Sequence, residues 1–155
     1  MDDAKLNYDP DLAAREFASS MAGLLEQDQI KAITADIMGT AAADQYPAKC
    51  TIISAIFYLR FTIEVTTDRG YGHVLKTFTG NAGGVSSPGG GVMFGTIFTK
   101  DLNRLYAETV SFQFNASPVM LNVNFFSKGH ALLGNFMSGG VSTVGGTGGG
   151  TGRWK

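Results

Sequence analysis

The sequence predicts an all-β fold: a compact, closed, eight-stranded antiparallel β-barrel with one short helix, preceded by a helical or partly disordered N-terminal arm. Between residues 109 and 126, large apolar side chains alternate with uncharged polar ones, which is the period of a pleated strand. Glycine accounts for 21 of the 155 residues and charged residues for 16%, against typical values of about 7% and about 25%. With 11 phenylalanines, such a chain suits a tightly curved sheet around a dense core.

We divide the chain into an arm, residues 1–45, and a barrel domain, residues 46–155. The arm reads as helix over residues 9–44. Asp9 is placed to cap a helix that has Pro10 at its first position. Asp28 and Gln29 interrupt the apolar pattern, so one helix and two helices fit equally well, and Gly39 marks the stop.

Two apolar stripes run along the arm. They consist of Leu12, Phe17, Met21, Leu24 and Leu25, followed by Ile30, Ile33 and Ile37. We expect them to dock on the barrel or to cap one of its ends. The alternative is an amphipathic arm that seeks a partner or a membrane surface.

Tyr46-Pro47 ends the helical region and begins the strands. The first four strands are predicted over about 50–58, 59–67, 72–79 and 91–99, with a glycine-rich loop over 81–91. One or two helical turns follow over 99–106, capped by Thr99 or Asp101. The fifth and sixth strands form the pair within residues 109–126, joined through Ala116-Ser117-Pro118. The seventh covers about 130–138, after a turn at Lys128-Gly129.

The eighth strand is predicted to begin at Val141 and carries most of the glycines near the C-terminus. Glycine normally weakens a strand. Here we expect it to permit curvature and close backbone approach where the barrel closes. The alternative is a mobile tail.

The apolar side chains are expected to point inward and to fill the barrel. The expected interior set is Phe61, Ile63, Phe78, Phe94, Phe98, Phe112, Phe114, Leu121, Val123, Phe125 and Phe136. A transmembrane barrel alternates as well, with its apolar side chains outward. We do not expect one here, because the strands are short and Trp and Tyr do not flank them at both ends.

Charge is unevenly spread along the chain. Residues 1–45 carry nine acids and three bases, hence −6, and residues 46–155 carry four acids and nine bases, hence +5; the sum is the net −1. The bases do not cluster along the sequence, so nucleic acid is not an expected partner. The opening Met1-Asp2-Asp3 is acidic, unlike a secretory signal peptide.

No catalytic, cofactor-binding or metal-ligating residue is predicted. His73 and His130 each lie beside a turn glycine, and no Cys/His cluster that could bind zinc is present. Glu64 and Glu108 could face one another as acid and base only by chance. Cys50 has no second cysteine to pair with, and a buried position suits it best.

The glycine runs lead into no helix, as a phosphate-binding loop would require. They are Gly83-Gly84, Gly89-Gly90-Gly91 and residues 145–152. We therefore expect them to serve the backbone conformation, and we expect the protein not to be an enzyme and to use no cofactor.

Several ordered segments resemble the virulence-associated (Vap) proteins of rhodococci. These segments are Gly80-Asn81-Ala82-Gly83-Gly84, residues 94–106, 109–115, 121–126 and 138–144, and the ending Gly-Gly-Gly-Thr-Gly-Arg-Trp. The likeness covers about residues 50–155, and residues 1–45 show none. The sequence departs from the family at Ser117-Pro118-Val119-Met120.

The resemblance implies an eight-stranded barrel that is secreted by an intracellular pathogen, supports survival in macrophage phagosomes and performs no known enzymatic chemistry. We therefore expect a secreted, monomeric, non-enzymatic virulence protein. Its partner would be an unknown host endosomal or phagosomal component, with membrane lipid as one candidate. The alternative function is a barrel that binds a small hydrophobic ligand or lipid, in its lumen or on an apolar end patch. An exterior with few titratable groups should show little change of stability between about pH 7 and 5.

Overall fold

The structure is a computed structural model that describes residues 10–23, 26–39, 44–55, 57–83, 89–116, 120–139 and 146–155. It begins with helices α1 (Pro10–Met21) and α2 (Gln27–Gly39). Strands β1 (Asp44–Ser54), β2 (Tyr58–Thr66), β3 (Val74–Gly83) and β4 (Gly89–Thr99) follow. Helix α3 (Leu102–Glu108) leads to β5 (Ser111–Ala116), β6 (Met120–Phe126), β7 (Leu132–Gly139) and β8 (Gly146–Trp154).

The eight strands close into one antiparallel barrel in the order β1-β2-β3-β8-β5-β6-β7-β4. This confirms the predicted fold and the predicted strand count. The glycine-rich last strand pairs with β3 on one side and with β5 on the other, so it closes the barrel as an ordered strand. The predicted start of this strand, Val141, and the predicted joint at Ser117-Pro118 lie outside the described residues.

The arm contains two helices, and Asp28 and Gln29 mark the start of the second one instead of interrupting a helix. The side-chain oxygen of Gln29 accepts a hydrogen bond from the backbone N–H of Glu26 at 3.3 Å. This is the reach-back half of a capping box, and Asp28 in the first turn suits the positive end of the helix dipole. Gly23, with φ +82°, turns the chain after α1. The predicted stop at Gly39 is confirmed.

The helical arm docks on the outside of the barrel. Phe17 of α1 and Ile37 of α2 pack against Phe98, Phe126 and Met137 of the sheet. α1 contacts β5, and α2 contacts β7. Of the apolar stripes, Phe17, Ile30 and Ile37 are buried. Leu24 and Leu25 of the stripes, and the predicted cap Asp9, lie outside the described residues.

Strand β1 starts at Asp44 and ends at Ser54, earlier at both ends than predicted. Pro47 lies inside it, opposite Thr96 of β4. On its other side β1 pairs with β2 only from Ala48 onward. The missing N–H of Pro47 therefore interrupts no ladder, which is the condition under which a strand accepts proline.

At both ends the predicted loop over residues 81–91 is strand, since β3 runs to Gly83 and β4 starts at Gly89. Residues 84–88 lie outside the described residues. Glycine is needed within β4 and β8 because backbone groups of the neighbouring strands come close. A Cβ at Gly90 would lie 2.8 Å from the carbonyl oxygen of Ile52, and a Cβ at Gly150 would lie 1.9 Å from that of Asn81. The glycine runs therefore belong to a crowded sheet.

The interior is filled by aromatic rings that meet across the barrel axis. Phe61 of β2 lies 5.1 Å from Phe112 and 4.8 Å from Phe114 of β5, between ring centroids. Phe78 of β3 lies 5.0 Å from Phe125 of β6. Nine of the eleven residues in the expected interior set belong to this core.

The other two, Phe94 and Phe98, point outward, and their placement in the interior set is wrong. The register aligns Met93 with Cys50 of β1, so the odd-numbered residues of β4 face the core. Phe98 lies under the arm instead, and Phe94 is 52% exposed. Large apolar residues occupy both faces of β4, and the alternation alone does not distinguish them.

The polar face of β5 and β6 is buried, although we expected it to face solvent. Asn115, Asn122 and Asn124 point away from the filled interior, yet each is 0% exposed, because the arm covers this side of the sheet. The three amides bond to one another at 2.9 to 3.2 Å, and Gln113 joins them at 2.9 Å through Asn124. This amide network satisfies polar groups that would otherwise be costly to bury.

Candidate functional site

The residues that the sequence analysis considered as possible catalytic or metal-binding groups are scattered over the fold. His73 and His130 are exposed. Glu64 forms an ion pair with Lys49 at 3.2 Å, and Glu108 pairs with Arg104 at 3.1 Å, one turn earlier on α3. Each carboxylate is therefore already partnered by a base on its own part of the molecule.

Cys50 lies in the barrel core with no exposed surface. Burial raises the pKa of its thiol far above the ordinary range, so the thiol stays protonated and unreactive near neutral pH. Within the described ranges, no group of three or more His, Cys, Asp or Glu side chains could hold a metal ion.

Helix α3 closes one end of the barrel. Asp101 caps this helix by accepting a hydrogen bond from the backbone N–H of Arg104 at 3.0 Å. Of the two predicted caps, Thr99 and Asp101, the structure therefore confirms Asp101. Tyr106 on this helix lies 5.2 Å from Trp154 between ring centroids. Burial, and secondly the neighbouring Tyr46, raise the pKa of Tyr106 to about 12. This end of the lumen is therefore closed by packed rings.

An exposed apolar surface crosses the outer face of β2, β1 and β4, and we call it the apolar band. It consists of Ile53, Phe57, Tyr58, Val92 and Phe94. Their exposed fractions run from 48% for Tyr58 to 70% for Phe57. The register places Ile53 opposite Arg60 on β2 and opposite Gly90 on β4, so Tyr58 and Val92 are its diagonal neighbours on the outer face.

The turn between β2 and β3 supports one end of the apolar band. Arg69 donates to the carbonyl oxygen of Gly95 at 2.6 Å and to the hydroxyl of Thr96 at 2.9 Å. These bonds hold the turn against β4. Tyr71 in the same turn packs on Phe94, with ring centroids 4.8 Å apart. Phe94 is thus held in a fixed, exposed position.

A second surface is a groove with a volume of about 730 Å³ that runs from β2 across β3, β8 and β5 to the β6–β7 turn, and it borders the apolar band at Arg60. We call it the basic groove. Its lining contains the cationic side chains of Arg60, Lys128, Arg153 and Lys155, together with His130. Among the residues that the structure describes, no Asp or Glu side chain lines it. We did not predict this cluster, because its members come from β2, β8 and the β6–β7 turn and only the barrel register brings them together.

A third groove, of about 510 Å³, lies between the arm and the barrel. Phe17 and Ile33 line it from the helices, and Phe126 and Leu132 line it from the sheet. Because residues of both the arm and the sheet line this groove, its shape depends on the arm being docked.

Over the part of the chain that the structure describes, no helix combines the length and the hydrophobicity needed to cross a membrane.

Comparison with known proteins places the barrel in a defined group. The family model described as Rhodococcus equi virulence-associated protein matches residues 3–155. The match includes the arm, where we expected no likeness. No curated protein sequence matches the chain.

Two solved structures from the intracellular pathogen Rhodococcus equi are similar to this one. Virulence-associated protein VapB is 44% identical, with a TM-score of 0.64, and the match covers 72% of this chain and 96% of VapB. Virulence-associated protein VapD is 42% identical, with a TM-score of 0.66, and the match covers 72% of this chain and 97% of VapD. The family match over nearly the whole length, together with these likenesses, shows that the chain belongs to the Rhodococcus equi virulence-associated protein family.

Proposed function

We propose that this protein is a secreted, non-enzymatic virulence factor that supports bacterial survival in host phagosomes through contacts made by its outer surface. Family membership supports a virulence-related role. The observation that favours surface contact is the pairing of a filled lumen with an exposed apolar band. A barrel with no room inside can offer a partner only its outside.

The apolar band is the contact surface that we assign to this role. Exposed large apolar side chains that lie next to one another mark interaction sites more often than scattered ones do. Phe57 and Ile53 lie at the β1–β2 end of the barrel, where they can approach a host protein or a membrane lipid without obstruction by the arm. The arm packs on the opposite side, against β5 to β7.

The proposal is tested by complementation of a strain that lacks the gene. Phe57→Ser/Phe94→Ser removes two rings from the apolar band. The control is Val74→Ser/Leu75→Ser, which removes two side chains of similar exposure, 41% and 49%, from the other end of β3. We expect the control to restore survival in macrophages and the band variant not to. Equal survival with both variants would contradict the role of the band.

Secretion is tested separately. We expect the chain in the culture supernatant of the bacterium, and for each variant above its amount there also shows that export and folding are intact. Finding the protein retained in the cytosol would contradict the proposed location.

Binding of a small hydrophobic ligand is the second candidate function. The lumen does not favour it, but the groove between the arm and the barrel does, because Phe17, Ile33, Phe126 and Leu132 give it an apolar lining. A fatty acid titrated into the full chain should bind there. Ala131→Trp, at the groove, should block the binding, and Met38→Trp, at an exposed position of α2 outside the groove lining, should not.

A further inference from the structure

We propose that the basic groove binds an anionic oligosaccharide. The cationic side chains of the groove would bind the sulfates or carboxylates of the ligand, and the neutral polar side chains between them would bind the sugar hydroxyls. This goes beyond the proposed virulence role and does not depend on it, since the groove and the apolar band use different residues. The observations that support it are the charge, the extent and the floor of the groove.

The charge of the groove is not neutralised by the protein. Arg60 and Arg153 are exposed, and neither takes part in an ion pair among the described residues. The ion pairs that the structure shows use Lys49 and Arg104, which lie outside the groove lining. A set of unpaired cations along a concave surface focuses the potential and attracts anions.

The extent of the groove fits a short polymer better than a single inorganic ion. Arg60 lies on β2 and Arg153 on β8, and β3 separates them. Lys128 and His130 lie beyond β5, in the β6–β7 turn. At about 4.8 Å per strand, the distance along the surface from β2 to β6 is roughly 19 Å. The volume of about 730 Å³ falls in the range of about 300–1,000 Å³ that is usual for ligand sites.

The floor between the cations is made of small neutral polar groups. These are Thr79, Asn81, Ser111, Ser127 and Thr151. Hydroxyl and amide groups can both donate and accept hydrogen bonds, as the hydroxyls of a sugar do. The fold holds some of them in place: Tyr58 donates its hydroxyl hydrogen to the side-chain oxygen of Asn81, and the hydroxyl of Ser127 accepts from the backbone N–H of Ala131 at 3.2 Å.

The same groove suits other polyanions less well. Its described lining contains no aromatic side chain, whereas single-stranded nucleic acid is bound largely by stacking on aromatic rings. Val110 is the one large apolar side chain in that described lining, and several exposed apolar residues form the band across β2, β1 and β4 instead. A membrane surface would therefore meet the band, and a soluble chain of charged sugars would meet the groove.

The test is isothermal titration of the full chain with a heparin-derived hexasaccharide, which carries both sulfates and carboxylates. Maltohexaose is the neutral control. We expect binding of the hexasaccharide, none of maltohexaose, and a loss of affinity of about tenfold or more between about 50 mM and about 200 mM salt, because exposed charges are screened. The desulfated hexasaccharide assigns the chemistry: retained binding identifies the carboxylates, and lost binding identifies the sulfates.

Two double variants with the same change of net charge test the site. Arg60→Gln/Arg153→Gln should lower the affinity about tenfold or more, because the charge-assisted bonds are lost. Lys31→Gln/Lys100→Gln removes two exposed cations outside the groove and should lower it less than about twofold. Equal melting temperatures show that both variants are folded.

The proposal is overturned if the hexasaccharide fails to bind at millimolar concentration or if both double variants weaken binding equally. It is also overturned if the groove-dependent binding is seen only with an oligonucleotide or only with anionic vesicles. These outcomes are independent of the macrophage experiment, which alters Phe57 and Phe94.

Discussion

Gly152 of β8 lies directly against the ring of Phe78 on β3: a Cβ at Gly152 would lie 2.4 Å from the Cζ atom of that ring. The same ring would meet a Cβ at Gly80 at 2.7 Å. The missing side chains of two glycines on neighbouring strands thus provide the space into which one phenylalanine packs. The high glycine content and the high phenylalanine content of this chain are therefore related, because the glycines leave space that the rings fill.

Gly152→Ala should destabilise the protein by about 1–3 kcal/mol, because an extra methyl group in a filled core forces rings or backbone to move. Gly83→Ala is the matched control on β3. A Cβ at Gly83 meets nothing within 4 Å, so its effect should be near zero. Chemical denaturation of both variants measures the difference. Equal stabilities would show that the core has more free space than this packing implies.

Asn122→Ala should cost about 1–3 kcal/mol, because it removes hydrogen bonds from buried amide groups. Asn122 accepts from Asn115 at 3.1 Å and donates to Asn124 at 3.2 Å. Asn103→Ala, on the exposed side of α3, should stay within about 0.5 kcal/mol. Urea unfolding measures both. A neutral Asn122→Ala would mean that solvent already reaches the network.

Stability should fall at alkaline pH because of Cys50. Burial raises the pKa of its thiol, whereas in the unfolded chain the thiol ionises above about pH 8.5. Above that pH the unfolded state binds fewer protons than the folded state, so the free energy of unfolding decreases with rising pH, by up to about 1.4 kcal/mol per unit. Cys50→Ala should remove this dependence between about pH 8.5 and 10.

The Cys50→Ala variant will also lose packing free energy, but that loss is the same at every pH. The slope of stability against pH is therefore the quantity to compare. Measurements should stop near pH 10, because Tyr106, with a folded-state pKa of about 12, adds a second decrease of the same sign above that point. An unchanged slope in the variant would contradict the assignment to Cys50.

Ile37→Ala should loosen the arm and leave the barrel closed. Ile37 is 0% exposed and packs on the barrel, whereas the next residue, Met38, is 51% exposed. Losing a buried isoleucine costs about 2–5 kcal/mol. Hydrogen exchange should therefore become faster in α2 but not in the barrel strands. Met38→Ala is the control and should change neither. Faster exchange throughout the strands would show that arm and barrel unfold together.

Melting temperature should change little between about pH 7 and 5. The barrel domain, residues 46–155, carries four acids and two histidines, so few groups can couple folding to pH in this range. Differential scanning calorimetry at several pH values checks this. A large decrease toward pH 5 would contradict the expectation that the fold tolerates an acidic compartment.

The sequence was enough to predict the barrel because most strands alternate cleanly. Phe112 and Phe114 on β5, and Val123 and Phe125 on β6, face the core as expected. The alternation fails on β4, where Met93 and Phe94 are both large and apolar. There the pairing with β1 decides which of them is inside, and pairing partners are not visible in a single sequence.

The surfaces were harder to foresee for a related reason. A row of asparagines reads as a solvated face, and nothing local shows that the arm will cover Asn122 and Asn124. Similarly, Arg60 and Arg153 are 93 positions apart in the sequence and line the same groove only because β3 pairs with β2 on one side and with β8 on the other. One feature of the sequence did indicate a basic surface: residues 46–155 carry a net charge of +5, and charged side chains lie on the outside of a folded domain.

The amide network under the arm has a consequence for a molecule from which the arm has been removed. A face rich in amides exchanges its internal bonds for water readily, unlike a purely aliphatic seam, which would stick to its neighbours once bared. If the two helices were removed, these amides would be hydrated, whereas Phe98, Phe126 and Met137, which the arm also covers, would be exposed to solvent. The helical cover thus protects apolar side chains of the barrel as well as its amides.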